Sequence, residues 1–247
     1  MKTKLKIGGI SLPNSISFIG PKFMATINTK TDKIKYVKVT NSTIIRKIPF
    51  IRGPVMLLRQ VWCFNKIWGP VVVFIASVAL VAPDLVRYIP ALNTAFTLDV
   101  LNWFGVGLLA LEGLGLLYVV CKYRLKILEM IKNFKLNHGA EHKAIWCYNK
   151  GLDLTLSNIK SQPKEHPNCG STIVVWFIIL IVFLHKIPFY NLICMSLATE
   201  ILLLADRLRL FFIPSLLLQK LTTREPSDEI INKAIKSFNT LLKLEGE

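Results

Sequence analysis

Four segments of this chain are almost free of charge over lengths close to the thickness of a bilayer: 68–82, 98–121, 172–183 with its continuation to residue 190, and 189–213. A helix needs roughly 20 apolar residues to cross a membrane, and the first and third segments are marginal in clean apolar length. The stretches between them are polar and basic. Of the 31 Lys and Arg, thirteen precede the first apolar segment, nine lie in 122–171 and seven lie from Arg207 onward. Only Arg87 and Lys186 fall in the other two loops. This asymmetry predicts a mainly α, multi-pass helical membrane protein of about four spans, with both termini and residues 122–171 on the cytoplasmic-equivalent side. The membrane would be a bacterial plasma membrane or an organelle membrane of bacterial descent. The chain is 52% hydrophobic with a net charge of +16, a combination that is rare in a water-soluble domain of 247 residues.

The domain organisation follows from these segments. Residues 1–47 form a polar, basic N-terminal segment. Within it, 8–21 reads as a Gly/Ser/Pro/Asn loop with close backbone contacts. Residues 22–28 and 34–40 alternate about a polar turn and read as a β-hairpin. Residues 48–121 hold an interfacial amphipathic helix, with Arg52 and Arg59 on one face, and the first two spans. Residues 122–171 form a His/Cys-rich internal module whose helix restarts near Asn137-His138-Gly139 and is closed by Gly151. Residues 172–214 form a membrane hairpin of spans three and four. Residues 215–247 end in an amphipathic helix, with Ser227 at its N-cap and Asp228 and Glu229 in its first turn. Ile230, Ala234, Phe238 and Leu241 share its apolar face, which would lie on the membrane surface or on the His-rich module.

The N-terminus, M-K-T-K-L-K-I-G-G, has no apolar signal core behind it, so no cleavable signal or transit peptide is expected. The five cysteines are irregularly spaced and do not read as a disulfide framework. Cys63, Cys121, Cys147 and Cys194 sit beside apolar helical stretches, where ordinary packing accounts for them. The basic hairpin carries few aromatics (Phe23 and Tyr36), so it reads as a solvated face, and no nucleic-acid partner is expected.

The chemistry concentrates in N-H-G-A-E-H-K-A-I-W-C-Y and E-H-P-N-C-G-S. On a helix, His138 and His142 stand at i and i+4 and project from one face, with Glu141 beside them. His-x-x-Glu-His is the arrangement in which two imidazoles hold zinc and the carboxylate activates water. His166 and Cys169 are candidates for further ligands, and neutral imidazole and thiolate suit a borderline metal. Four filled positions would make a closed structural site, three an open one. A plainer reading also accounts for the motif: Glu141 near a helix start, His138 in a turn and Cys169-Gly170 closing a loop. Glu112 and Glu200 lie within apolar segments, where an ionisable group is costly, so Glu200 is a second candidate for base or ligand. Thr222-Thr223-Arg224-Glu225 reads as a capped, salt-bridged turn.

H-G-A-E-H-K-A-I, H-P-N-C-G-S, L-L-L-Q-K-L-T-T-R-E-P and I-P-F-I-R-G, in this order of motifs over nearly the whole chain, resemble the DUF1385 family. The resemblance implies a multi-pass membrane protein and a metal-dependent enzyme with no assigned reaction. On it, His138, Glu141, His142, His166, Cys169, Glu200, Thr222, Thr223, Arg224 and Glu225 match family motif positions. Gly8-Gly9 and Gly20-Pro21 align as well. The family's Glu and Arg between them are Asn14 and Ile19 here, and its Arg between Pro and Cys is Asn168. A catalytic role for either would leave this copy altered, whereas the His/Glu/Cys cluster is intact.

The expected function is therefore a metal-dependent, hydrolase-like enzyme acting on a lipid-linked or membrane-peptide substrate. His138 and His142 would bind a divalent metal, zinc first, with His166 or Cys169 as third ligand. Glu141 would be the general base, with Glu200 as the alternative. Membrane lipids, a membrane protein or a second copy are the expected partners. The alternative is a non-catalytic scaffold or assembly factor with a structural metal site. Transport, suggested by Glu112 and Glu200, ranks last.

Overall fold

The structure is a computed structural model that describes residues 5–39, 48–50, 95–187, 190–205 and 212–246. These residues fall into two compact units. One gathers Met1–Ser42, Leu125–Ser171 and Leu208–Glu247; the other comprises Thr43–Arg124 and Thr172–Arg207.

The first unit begins with four antiparallel strands in sequence order: β1 (Gly8–Leu12), β2 (Ser15–Ile19), β3 (Phe23–Asn28) and β4 (Ile34–Lys38). The Leu12–Ser15 pair closes the first hairpin over Pro13-Asn14, two residues that favour turns. In the last hairpin the Asn28 Oδ1 accepts the amides of Lys30 and Thr31, both at 2.9 Å, which bends the chain back toward Ile34. Residues 8–21 are thus two strands and not the expected loop. The alternation in Ser15-Ile16-Ser17-Phe18 sends Ile16 and Phe18 to one face, opposite Ile27 and Ala25 of β3. The expected 22–28/34–40 hairpin is present as β3 and β4.

Six helices are described: α1 (Ala95–Asn149), α2 (Leu156–Lys160), α3 (Gly170–Leu184), α4 (Tyr190–Ala205), α5 (Ile213–Thr222) and α6 (Asp228–Glu245). In α6 the buried residues are Ile231, Ala234, Phe238 and Leu241, spaced for one helix face. They pack on the sheet, with the Phe18 and Phe238 ring centroids 4.5 Å apart. Fully burying side chains of this kind stabilises a fold by about 1.5–3 kcal/mol each. Ser227 occupies the N-cap position without a side-chain capping bond, and Asp228 and Glu229 fill the first turn. The far end of α6 is pinned by Glu245, whose Oε1 accepts the amides of Lys22 at 2.7 Å and Phe23 at 2.8 Å. A Cβ on Gly20 would lie 2.5 Å from that oxygen, so this turn needs glycine.

The C-terminal part of α1 joins the same core through Ala140, Ala144, Ile145 and Cys147. The helix runs unbroken through Asn137-His138-Gly139, contrary to the expected restart. It ends as expected at Gly151, with φ of 74°. The Gly151 amide bonds the Tyr148 carbonyl and the Leu152 amide bonds the Cys147 carbonyl, the paired closure of a glycine-terminated helix.

The expected membrane architecture is corrected. Among the described residues no helix is long and apolar enough to cross a membrane. The chain carries a four-stranded sheet beside its helices, where a mainly α fold with a single hairpin was expected. The 15 residues of α3 and 16 of α4 reach only about 22–24 Å at 1.5 Å per residue, against a hydrocarbon core of about 30 Å. Where the side chains of α1 are described in continuous run, Lys122, Arg124, Lys126, Glu129, Lys132 and Lys135 recur. The multi-pass class, the membrane localisation and the sidedness drawn from charge do not stand. The expected interfacial helix and first span lie outside the described residues. The C-terminal helix rests on the sheet and not on a membrane surface.

Candidate metal centre

His138 and His142 lie one turn apart on α1, with ring centroids 4.3 Å apart in an edge-on arrangement. Cys169 sits immediately before α3 and brings its sulfur to them. His138, His142 and Cys169 each offer one ligand atom, and these atoms lie within 4.8 Å of one another. All three side chains are less than a tenth exposed.

Backbone carbonyls set the tautomers. His138 Nδ1 is 3.1 Å from the Thr222 carbonyl oxygen, and His142 Nδ1 is 2.6 Å from that of Lys164. A carbonyl oxygen only accepts, so each Nδ1 carries the proton and each neutral ring presents a bare Nε2. His138 Nε2 is 3.3 Å from Cys169 Sγ. Burial holds the His138 pKa below its ordinary value, partly opposed by the Thr222 carbonyl. His142 is held well below by burial and then by the charge of His138. Two neutral imidazoles oriented by Nδ1–H bonds are in the state that a metal ligand requires.

Cys169 is a thiol in this environment. Burial pushes its pKa up to about 11, against the Ser171 amide and hydroxyl. The Ser171 amide donates to Sγ at 3.4 Å. This amide, at the N-terminus of α3, favours negative charge on the sulfur once a cation displaces the proton.

Glu141 is enclosed between α1 and β1. Ser11 Oγ donates to its Oε2 at 2.8 Å. A Cβ on Gly9 would fall 2.1 Å from its Oε1, so the strand can cross this carboxyl only as glycine. Burial raises the Glu141 pKa from 4.5 to about 7, with the Ser11 bond opposing.

His166 stands beside the centre. Its ring lies 5.7 Å from that of His142 and 5.0 Å from Trp146, centroid to centroid. Its Nδ1 accepts the Asn168 amide at 3.2 Å. The backbone of His166 is clamped from both sides by Gln219, whose Oε1 accepts its amide at 2.8 Å and whose Nε2 donates to its carbonyl at 3.1 Å. Glu200 belongs to the second unit, on α4, where its Oε1 accepts the Phe50 amide at 2.9 Å.

The segment after α5 supports the centre by wrapping α1. The Arg224 amide bonds the Lys135 carbonyl at 2.9 Å, and Glu225 pairs with the buried Lys143 at 2.6 Å. Thr223 Oγ1 donates to the Gln219 carbonyl at 2.7 Å. The capped, salt-bridged turn read from the sequence is what forms. Its closest approach is at Gly139, where a Cβ would lie 2.1 Å from the Arg224 carbonyl oxygen.

Sequence reasoning missed Ser11, the contact of Gly9 with Glu141, and Gln219. A Gly-Gly pair flagged for close backbone contact, and a lone Gln in an apolar helix, were the available signals. The carbonyls of Lys164 and Thr222 leave no trace in sequence, since any residue supplies one. Two nitrogens and a sulfur in reach of one point suit a borderline cation such as zinc, with a fourth position left to water, substrate or another side chain.

Comparison with known proteins places the chain among relatives without assigned function. Residues 48–244 match the family described as "Protein of unknown function (DUF1385)". The uncharacterized protein YqhQ of Bacillus subtilis (strain 168) is 35% identical over 182 residues, covering 66% of this chain and 54% of YqhQ. The chain thus spans about half the length of that curated relative. No solved structure matches it.

Proposed function

This chain belongs to the DUF1385 family, and we propose that it is a metal-dependent, hydrolase-like enzyme whose centre is His138, His142 and Cys169 with Glu141 as acid–base group. The observation that carries this reading is the pair of Nδ1–H bonds to the Thr222 and Lys164 carbonyls, which turns both Nε2 atoms into available donors. The metal would be divalent, zinc first by the donor set. Once bound, it supplies Lewis acidity. Cys169 gives up its proton to become a ligand, so uptake of the cation releases protons. Glu141, next to His142 in sequence and fixed by Ser11 and Gly9, is placed to take a proton from an attacking water and pass it to the leaving group. The substrate class inferred from a bilayer setting loses that basis.

A second reading is favoured by the burial of the centre: a closed structural site in which a fourth protein donor completes the shell. Metal analysis of the purified chain tests the first step. About one cation per chain, lost in His142→Ala, is the expected result, and no metal in carefully handled wild type overturns both readings. Cobalt substitution separates them. An open position changes the cobalt spectrum when azide is added, whereas a closed shell does not respond. On the catalytic reading Glu141→Gln keeps metal and fold but loses turnover of ester or phosphoester substrates.

A further inference from the structure

The face of α1 that carries the centre continues toward the helix N-terminus as an apolar groove. Ile127, Met130, Ile131 and Phe134, with Pro13 from the β1–β2 turn, line a cavity of about 220 Å³. Positions 127, 131, 134, 138 and 142 follow one helical stripe. Phe134 stands between groove and centre, its ring 5.3 Å from that of His138. Ile131 precedes His138 by roughly 10 Å along the helix axis, at 1.5 Å per residue. Groove and centre are therefore consecutive stretches of one surface.

Two further observations say what occupies it. Asn137, 1% exposed and adjacent to His138, donates through Nδ2 to the Leu12 carbonyl at 2.8 Å and the Pro13 carbonyl at 3.3 Å. This holds the Pro13 wall in place, while the buried Asn137 Oδ1 has no partner. The rim beside the centre is cationic. Lys135 follows Phe134, the backbone of exposed Arg224 is bonded to that of Lys135, and α1 carries no acidic residue between Glu129 and Glu141. An apolar trough that ends at cations calls for an apolar chain with an anionic head. A hydrolytic centre also requires a scissile bond at that head. A phosphate ester supplies both charge and bond, whereas a free carboxylate supplies only charge.

Building on the metal-centre reading, we propose that the substrate is an anionic amphiphile. Its alkyl chain lies along Ile127, Met130 and Ile131, and its phosphate ester meets the centre beside Lys135 and Arg224. In the hydrolysis, water forms a new P–O bond while the P–O bond to the alkyl oxygen breaks. Glu141 takes the water proton and returns it to the departing alcohol.

The test is calorimetric titration of the metal-loaded full chain with octyl phosphate and with ethyl phosphate, both below micellar concentration. Octyl phosphate is expected to bind at least tenfold more tightly. Ile131→Asp and Met130→Glu change exposed side chains and should abolish that advantage, with metal content and ethyl phosphate affinity unchanged. Equal binding of the two esters overturns the amphiphile inference and leaves the metal-centre reading intact. So does a chain-length advantage that survives both substitutions. If neither ester binds protein shown to hold its metal, the inference fails together with the open position.

Discussion

Glu141 and its histidine neighbours pull the stability of the metal-free protein in opposite directions as pH changes. His138 and His142 are held below their ordinary pKa of 6.5, so the unfolded chain takes up protons that the folded chain refuses. Their effect is a loss of stability as pH falls below 6.5. Glu141 works the other way, because its folded pKa is raised from 4.5 to about 7. The fold keeps a proton that the unfolded chain loses above 4.5, so stability falls as pH rises from there through 7. The loss reaches about 3 kcal/mol, since each tenfold change in proton affinity is worth about 1.4 kcal/mol. Urea unfolding of chelator-treated wild type and Glu141→Gln at pH 5 and pH 8 isolates this contribution. The glutamine variant should gain on wild type as pH rises, and an equal gap at both pH values would show that Glu141 titrates normally. The His138/His142 pairing was legible because i, i+4 spacing is intrinsic to a helix. The carboxyl's enclosure was not, because Ser11 and Gly9 reach it from 130 or more residues away in sequence.

At the scale of elements, Gly139 shows why a residue read correctly as special can be assigned the wrong job. A glycine beside a histidine resembles a helix break, yet α1 continues through it. Its purpose is set by a segment more than 80 residues away, the turn after α5 whose Arg224 carbonyl takes the space of a side chain. The same turn supplies the Thr222 carbonyl to His138 and Glu225 to Lys143. Gly139→Ala should therefore push this wrap off α1. Because the obstacle is backbone, the cost should be about 1–3 kcal/mol, as for other overpacked interiors. Metal affinity should fall with it, although no ligand is altered. Unfolding midpoints and competitive chelator titration measure the two effects. An alanine variant with wild-type affinity would show that the Thr222 carbonyl does not orient His138. Strands β1 and β2 were misread for a related reason: Gly, Ser, Pro and Asn suggest a loop, while the apolar alternation that makes them strands is short. The β3–β4 hairpin and the Gly151 terminus were legible because short-range turn and capping geometry decides them.

At the scale of the whole molecule, apolar run length was a poor guide to helix length. The stretch from 172 to 213 is nearly continuous in hydropathy, but α3 stops at Leu184 and α4 does not begin until Tyr190, after the Pro188 that cannot continue a helix. In the first unit the decisive long-range organisation is the convergence of separate chain segments on one centre. His138 and His142 come from α1, and Cys169 from the loop before α3. The Lys164 and Thr222 carbonyls fix the rings, and Ser11 of β1 holds Glu141. A cation bound at such a crossing belongs to the folding equilibrium of the unit, because the unfolded chain holds no preformed site. A ligand at a thousandfold excess over its Kd stabilises by about 4 kcal/mol. Chelation should accordingly lower the unfolding midpoint. It should also release amide protection together at Asn168, Ser171, Thr223 and Arg224, whose partners lie at or beside the centre. Hydrogen exchange with and without chelator, with His142→Ala as the permanently metal-free reference, makes the comparison. Collective release across both segments marks the metal as the joint that holds the unit's segments together. Release confined to residues 164–171 would reduce it to a local clip on one loop, and the support from α5 would then be independent of the metal.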